Sequence, residues 1–184
     1  MKVNSIIGIR FDLLALAGLV VGLAFSGPAL AQEPPDVVWE VAGTNSVSVV
    51  AFSPDGQQVA DGGGAHDPSV TVRGAADGTA LATFPAPSRS DAMPTGVASL
   101  DFSPAGLLAV GGLIMSTGYP VPGGAADVWR LADETIVHSF GGSYVSFSAD
   151  GTRLATGGGG ANHYLAIREI PSETLVADFS DGGG

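Results

Sequence analysis

From Val37 onward the chain alternates short apolar runs with small, turn-forming residues, and nowhere does it hold a 3.6-residue apolar period of useful length. Three of these runs end in phenylalanine: Val47 to Phe52, Val97 to Phe102 and Tyr144 to Phe147. A four-residue turn follows each one, Ser53-Pro54-Asp55-Gly56, Ser103-Pro104-Ala105-Gly106 and Ser148-Ala149-Asp150-Gly151. Pro presets the backbone angle of the turn, Asp bonds to nearby backbone, and Gly takes a left-handed conformation without a steric penalty, so each run predicts a hairpin. Second strands are expected at Val59-Ala60, Leu108 to Val110 and Leu154 to Thr156, all running into glycines. Third strands are expected at Val70 to Arg73, Asp127 to Arg130 and Leu165 to Arg168, and the closing strands read TALATF, TIVHSF and TLVADF. The steps from Arg73 to Phe84, Trp129 to Phe140 and Arg168 to Phe179 are equal, 11 residues each.

The fold class is therefore all-β. A 40–50-residue unit of four strands is the pattern of a β-propeller blade, and 28 glycines and 12 prolines suit a chain of short strands and many turns. "VVAFSPDG", "LDFSPAG" and "VSFSADG", followed by a third strand holding Trp129 and by "ETIVHSF", resemble the tryptophan-aspartate (WD) repeat family of β-propellers. The resemblance covers residues 37–184 and implies three four-stranded antiparallel blades, approximately 42–84, 96–140 and 141–179, in an incomplete ring. Its structural repeat positions fall on Phe52, Phe102, Phe147, Asp67 and Trp129. The match is partial. The tryptophan slot holds Arg73 and Arg168 in the outer copies, the aspartate after it is replaced by Gly74, Arg130 and Glu169, and the structural aspartate of the turn before the third strand survives only as Asp67, with Gly123 and Asn162 in the other copies. The resemblance implies that no blade completes the family's buried hydrogen-bond network.

Residues 1–31 read as a secretory signal peptide: Lys2 and Arg10 make a basic start, Leu13 to Phe25 an apolar core, and Ala29-Leu30-Ala31 a small-x-small cleavage site. The apolar core is shorter than the roughly 20 residues that span a bilayer, so no stable membrane insertion is expected after cleavage. Glu33-Pro34-Pro35-Asp36 form a stiff spacer within 32–36, and the mature protein is expected to be extracytoplasmic, periplasmic or secreted. Setting aside Lys2, Arg10 and Asp12 from the 7 basic and 18 acidic residues leaves no lysine and a strongly acidic chain, which argues against nucleic acid as a partner. The chain has no cysteine, so packing and strand pairing must hold the fold and thiolate chemistry is excluded.

Propellers close with about 4 to 8 blades, and three are written here. A longer chain, self-association to close the ring, and an open three-blade wedge all satisfy the sequence. Val37 to Val41 reads as an extra strand, like the outermost strand of a preceding blade. Two insertions break the repeat, "PAPSRSDAMPTGVASLD" after Phe84 and "GLIMSTGYPVPG" from Gly112 to Gly123, and both are expected as loops on one face of the ring. Arg89, Met93, Ile114, Met115 and Tyr119 are the candidate partner-contact residues in them. No catalytic, cofactor or metal site is predicted: His66, His138 and His163 lack close zinc spacing, although His66 and His163 fall in equivalent loops, and no nucleophile elbow occurs. The expected function is a non-enzymatic scaffold binding a protein partner of unstated identity through its loop face. The alternative is a fragment of a periplasmic enzymatic or cofactor-binding propeller whose catalytic residues lie in further blades.

Overall fold

A computed structural model of the chain describes residues 37–41, 46–64, 66–89, 92–116, 122–158, 165–170, 172 and 174–179. The signal peptide and the spacer expected from the sequence, with Tyr119, Asn162 and His163, lie outside the described residues. Among the described residues, twelve strands form three four-stranded antiparallel sheets, each ordered as in the chain. The first holds β1 (Val47–Phe52), β2 (Gln58–Gly63), β3 (Ser69–Gly74) and β4 (Ala80–Pro85); the second β5 (Ala92–Ser103), β6 (Leu107–Ser116), β7 (Pro122–Arg130) and β8 (Thr135–Gly141). The third holds β9 (Tyr144–Phe147), β10 (Arg153–Gly157), β11 (Leu165–Glu169) and β12 (Leu175–Asp178).

The predicted turns form by side-chain capping. Gly56 N–H donates to Ser53 O (2.8 Å), Ser53 Oγ donates to Asp55 Oδ1 (2.6 Å) and Gln57 N–H donates to the same carboxylate oxygen (3.0 Å). Ser148, Asp150 and Thr152 repeat the arrangement, with Ser148 Oγ 2.6 Å and Thr152 N 3.0 Å from Asp150 Oδ1. Gly56, Gly106 and Gly151 all take positive φ, the conformation a side chain resists. Those hydrogen bonds stabilise the charged form of Asp150 and hold its carboxyl down to about 2, chiefly through the Ser148 hydroxyl. The shared 11-residue spacing also has a structural cause. In every sheet the register shifts by one residue between the third and fourth strands, at Val72/Arg73, Val128/Trp129 and Ile167/Arg168. A bulge of this kind increases strand twist.

Neighbouring sheets pack face to face through two apolar clusters. Val70, Val72 and Phe84 of the first sheet meet Leu100, Phe102, Leu108 and Trp129 of the second, and Ala126 and Val128 of the second meet Val145 and Leu154 of the third. Glycines in the second strands admit the next sheet: a Cβ on Gly111 would fall on the Ser143 carbonyl, and one on Gly62 would lie 2.7 Å from the Val97 side chain. The first strand of the third sheet is an edge, and side chains of the second sheet satisfy it. Val145 N–H donates to Ser99 Oγ (2.9 Å) and Phe147 N–H donates to Asp101 Oδ2 (2.6 Å), so these edge donors are not left bare at the junction.

Two expectations are corrected. Val37–Val41 forms no strand; Trp39 instead donates its indole N–H to Ala75 O (2.8 Å) and lies against Gly78. The repeat positions differ in burial: Phe52 is 69% exposed, whereas Phe102 at the equivalent position is 5% exposed and Phe147 half-buried. The reason is neighbourhood, because Phe102 faces the first sheet and Phe52 faces a surface that no described sheet covers. The insertions, finally, are not simple loops, as their described parts lengthen β5, β6 and β7.

Candidate functional site

The second sheet is longer than its neighbours at one end, and this extension carries most of the candidate contact residues. Beyond Val97 the ladder of β5 and β6 continues through Gly96↔Leu113, Pro94↔Ile114 and Met93↔Met115. Bulges at Pro94/Gly96 and Val97/Ser99 shift its register. Pro94 has no N–H to give a ladder, and it is tolerated because β5 is an edge strand. Alternation then sorts the side chains. Met93 and Met115 stand directly opposite one another and are 67% and 51% exposed, with Leu113 exposed on the same face, whereas Ile114 points the other way and is buried. Ile114 is thus corrected from loop contact to packed strand residue. Thr95 Oγ1 donates to Leu113 O (3.2 Å), tying the two strands of the extension together.

Arg89 lies at the foot of this extension, where its carbonyl accepts the Ala92 N–H (3.1 Å) and its guanidinium donates to Phe140 O (3.4 Å). A recess of about 390 Å³ opens beside it, lined by Arg89, Asp127, Ser139, Phe140 and Arg168 among others. Burial pushes the Asp127 carboxyl above its usual range, opposed by the Ser139 hydroxyl, which donates to it at 2.6 Å, and by the charge of Arg89. Sequence reasoning singled out Arg89 and missed Asp127, Ser139 and Arg168, because their convergence depends on packing between sheets. Among the described residues no group of three or more His, Asp or Glu side chains could hold a metal. His66 is exposed, and His138 stacks on Phe140 at 5.8 Å.

The repeat positions follow a consistent rule. Trp129 is buried against Phe84 with ring centroids 4.8 Å apart, and its indole N–H has no acceptor among the described residues. Where arginine fills the tryptophan slot, the second strand supplies a polar partner. Arg73 Nε donates to Asp61 (2.7 Å) and Arg168 Nη1 to Thr156 Oγ1 (3.3 Å), while the equivalent residue beside Trp129 is Val110. Asp67 lies in the turn between β2 and β3 as expected, its N–H donating to Gly64 O (3.2 Å), but Gly123 lies on β7 and not in a turn.

No family model and no curated protein matches the sequence. Solved structures do resemble the chain. The C-terminal WD40 domain of Sif2 is 14% identical, with a TM-score of 0.51 over 76% of this chain and 35% of that one. A chain of a mitotic checkpoint complex is 18% identical, with a TM-score of 0.56 over 77% of this chain and 41% of that one. Sqt1 of Chaetomium thermophilum, bound to the N-terminus of ribosomal protein L10, is 24% identical, with a TM-score of 0.51 over 71% of this chain and 33% of that one. This chain therefore spans between 33% and 41% of the length of these relatives in fold.

Proposed function

We propose that this chain, which folds as three consecutive blades of a WD40-type β-propeller, is an exported, non-enzymatic scaffold that binds a protein partner through the extension of its middle blade. The observation that carries the reading is the exposed pair Met93 and Met115, held opposite one another on a two-stranded ladder. Methionine is flexible and polarisable, so it adapts to an apolar partner surface, and a strand-borne pair loses less conformational freedom on binding than a loop would. Arg89 at the foot of the extension, in a chain of formal net charge -11, would favour an acidic group on the partner. Blades of this kind are found in protein complexes, as in the checkpoint assembly and in Sqt1 with its bound L10 peptide, which supports a scaffold before an enzyme.

The test is a photo-crosslinking amino acid at position 115, compared with one at Asp133 in the exposed β7–β8 turn, in cells expressing the full chain. A discrete adduct from position 115 that disappears in Met93→Asp is expected. Equal adducts from both positions, or an adduct indifferent to Met93→Asp, would remove the extension as the contact surface. Export is read on the same material, since mass spectrometry of the recovered protein should place its first residue at Gln32.

A further inference from the structure

Both internal blade junctions use one pair of positions. Phe84 of β4 meets Trp129 of β7 at 4.8 Å between ring centroids, and Phe140 of β8 lies beneath Arg168 of β11 with the guanidinium carbon 4.8 Å from the ring centroid. Each phenylalanine belongs to one blade and its partner to the next. Register makes Phe84, Phe140 and Phe179 one series, because Val70, Ala126 and Leu165 are their respective partners on the third strands. It likewise makes Arg73, Trp129 and Arg168 a second series, through Val59, Leu108 and Leu154. Among the described residues one member of each series is left over: Phe179 on the third blade and Arg73 on the first.

The two leftover positions lie on faces that no described strand covers. Phe179 is 61% exposed, with Tyr144 and Leu165 exposed on the same side of the third sheet. Arg73 borders a recess of about 430 Å³ on the free face of the first sheet, with Trp39, Val50, Val59, Asp61 and Thr71, and Phe52 stands exposed on that face too. Asp61 holds Arg73 much as Thr156 holds Arg168, so an arginine is already in place where an aromatic ring would lie beneath it.

We propose that these faces are the two halves of one junction made between copies of this chain, with Phe179 of one copy entering the recess beneath Arg73 of another, and the reverse. A second copy is the occupant the chemistry selects. The last blade presents a phenylalanine, the first presents an arginine, and the junction between the second and third blades shows that pair forming in this protein. An arginine over an aromatic face is attractive once water is excluded. The contact is head-to-tail, and the three described blades of each of two copies make six, within the range at which propellers close.

The test is the solution mass of the protein recovered from expression of the full chain, measured by light scattering and sedimentation across a hundredfold range of concentration. Phe179→Glu, Phe52→Glu and an equimolar mixture of the two are measured alongside, with circular dichroism reporting the fold. The chain should run as a pair, and each variant alone as a single chain with at least tenfold weaker association. The mixture should form pairs again, because one of its two junctions keeps both native faces. A single chain at every concentration would overturn the proposal, as would pairing unaffected by either substitution or a mixture that stays dissociated while folded. Loss of pairing in Phe52→Glu but not in Phe179→Glu would point to two first blades meeting each other and would overturn it equally. If a glutamate variant loses its fold, Arg73→Ala and Phe179→Ala take its place under the same criteria.

Discussion

Phe52 and Phe102 close the same strand in successive blades, yet one is 69% and the other 5% exposed, which makes them a paired test of the architecture. Phe102→Ala removes a ring packed among Val70, Phe84, Leu108 and Trp129. Transfer of a buried Phe side chain contributes about 1.5–3 kcal/mol and the cavity left behind adds to that, so a loss of about 3–5 kcal/mol is expected. For a domain of this size that corresponds to a fall in Tm of about 10–15 °C. Phe52→Ala removes a ring with roughly a third of its surface covered, and the same reasoning gives at most about 1 kcal/mol. Phe147, half-buried against the second blade, should fall between them. The assay is urea unfolding followed by circular dichroism and tryptophan fluorescence, at a concentration low enough that the sample is a single chain, since association would stabilise the Phe52 face. Equal destabilisation by Phe52→Ala and Phe102→Ala would refute the reasoning, because it would mean that the first blade's free face is covered within the chain.

Gly111→Ala should cost about 1–3 kcal/mol or more, since the new methyl group meets the Ser143 carbonyl and forces the blades apart; a wild-type unfolding midpoint would contradict the blade spacing. Glu134 holds a φ of 57° where the first blade has Gly78, so Glu134→Gly should raise stability by about 0.5–1 kcal/mol in the same urea assay, the strain of a left-handed residue partly offset by the freedom of glycine. The Asp150 carboxyl is held down to about 2 in the folded chain, so its stabilising contribution is complete above the unfolded value near 3.8 and is lost as pH falls toward 2. Asp150→Asn should therefore flatten the dependence of stability on pH between about 4 and 2. Asp127 shifts the opposite way: its folded state favours the proton, stability falls as pH rises through its raised pKa, and Asp127→Asn should leave the midpoint at pH 7 equal or higher, with the gain vanishing near pH 3.

Local chemistry wrote much of the fold into the sequence. Ser-Pro-Asp-Gly and its variants specify a turn because the serine and aspartate oxygens capture the backbone N–H groups within the same six residues. The equal 11-residue steps specify a bulged pairing of third and fourth strands that all three sheets share. The extension of the middle blade was legible in principle. The turn at Ser103 sets the partnership Phe102↔Leu108, and carrying that ladder outward leads to Met93 opposite Met115 once two bulges are allowed. Bulges depend on twist and on neighbouring sheets, which is why the segment reads as a loop until the sheets are seen together.

Burial was decided by tertiary structure alone. Phe52, Phe102 and Phe147 share a local pattern and an equivalent strand position, and their exposure differs because a blade face is apolar whether or not another blade lies against it. The same holds for Arg73 and Arg168, where a shared slot and a shared polar support end in an open recess for one and in contact with Phe140 for the other. Strand, turn and register arise from interactions a few residues apart, and a repeat can spell them three times. What covers each face depends on which sheets come next in space, and no residue within a repeat carries that information.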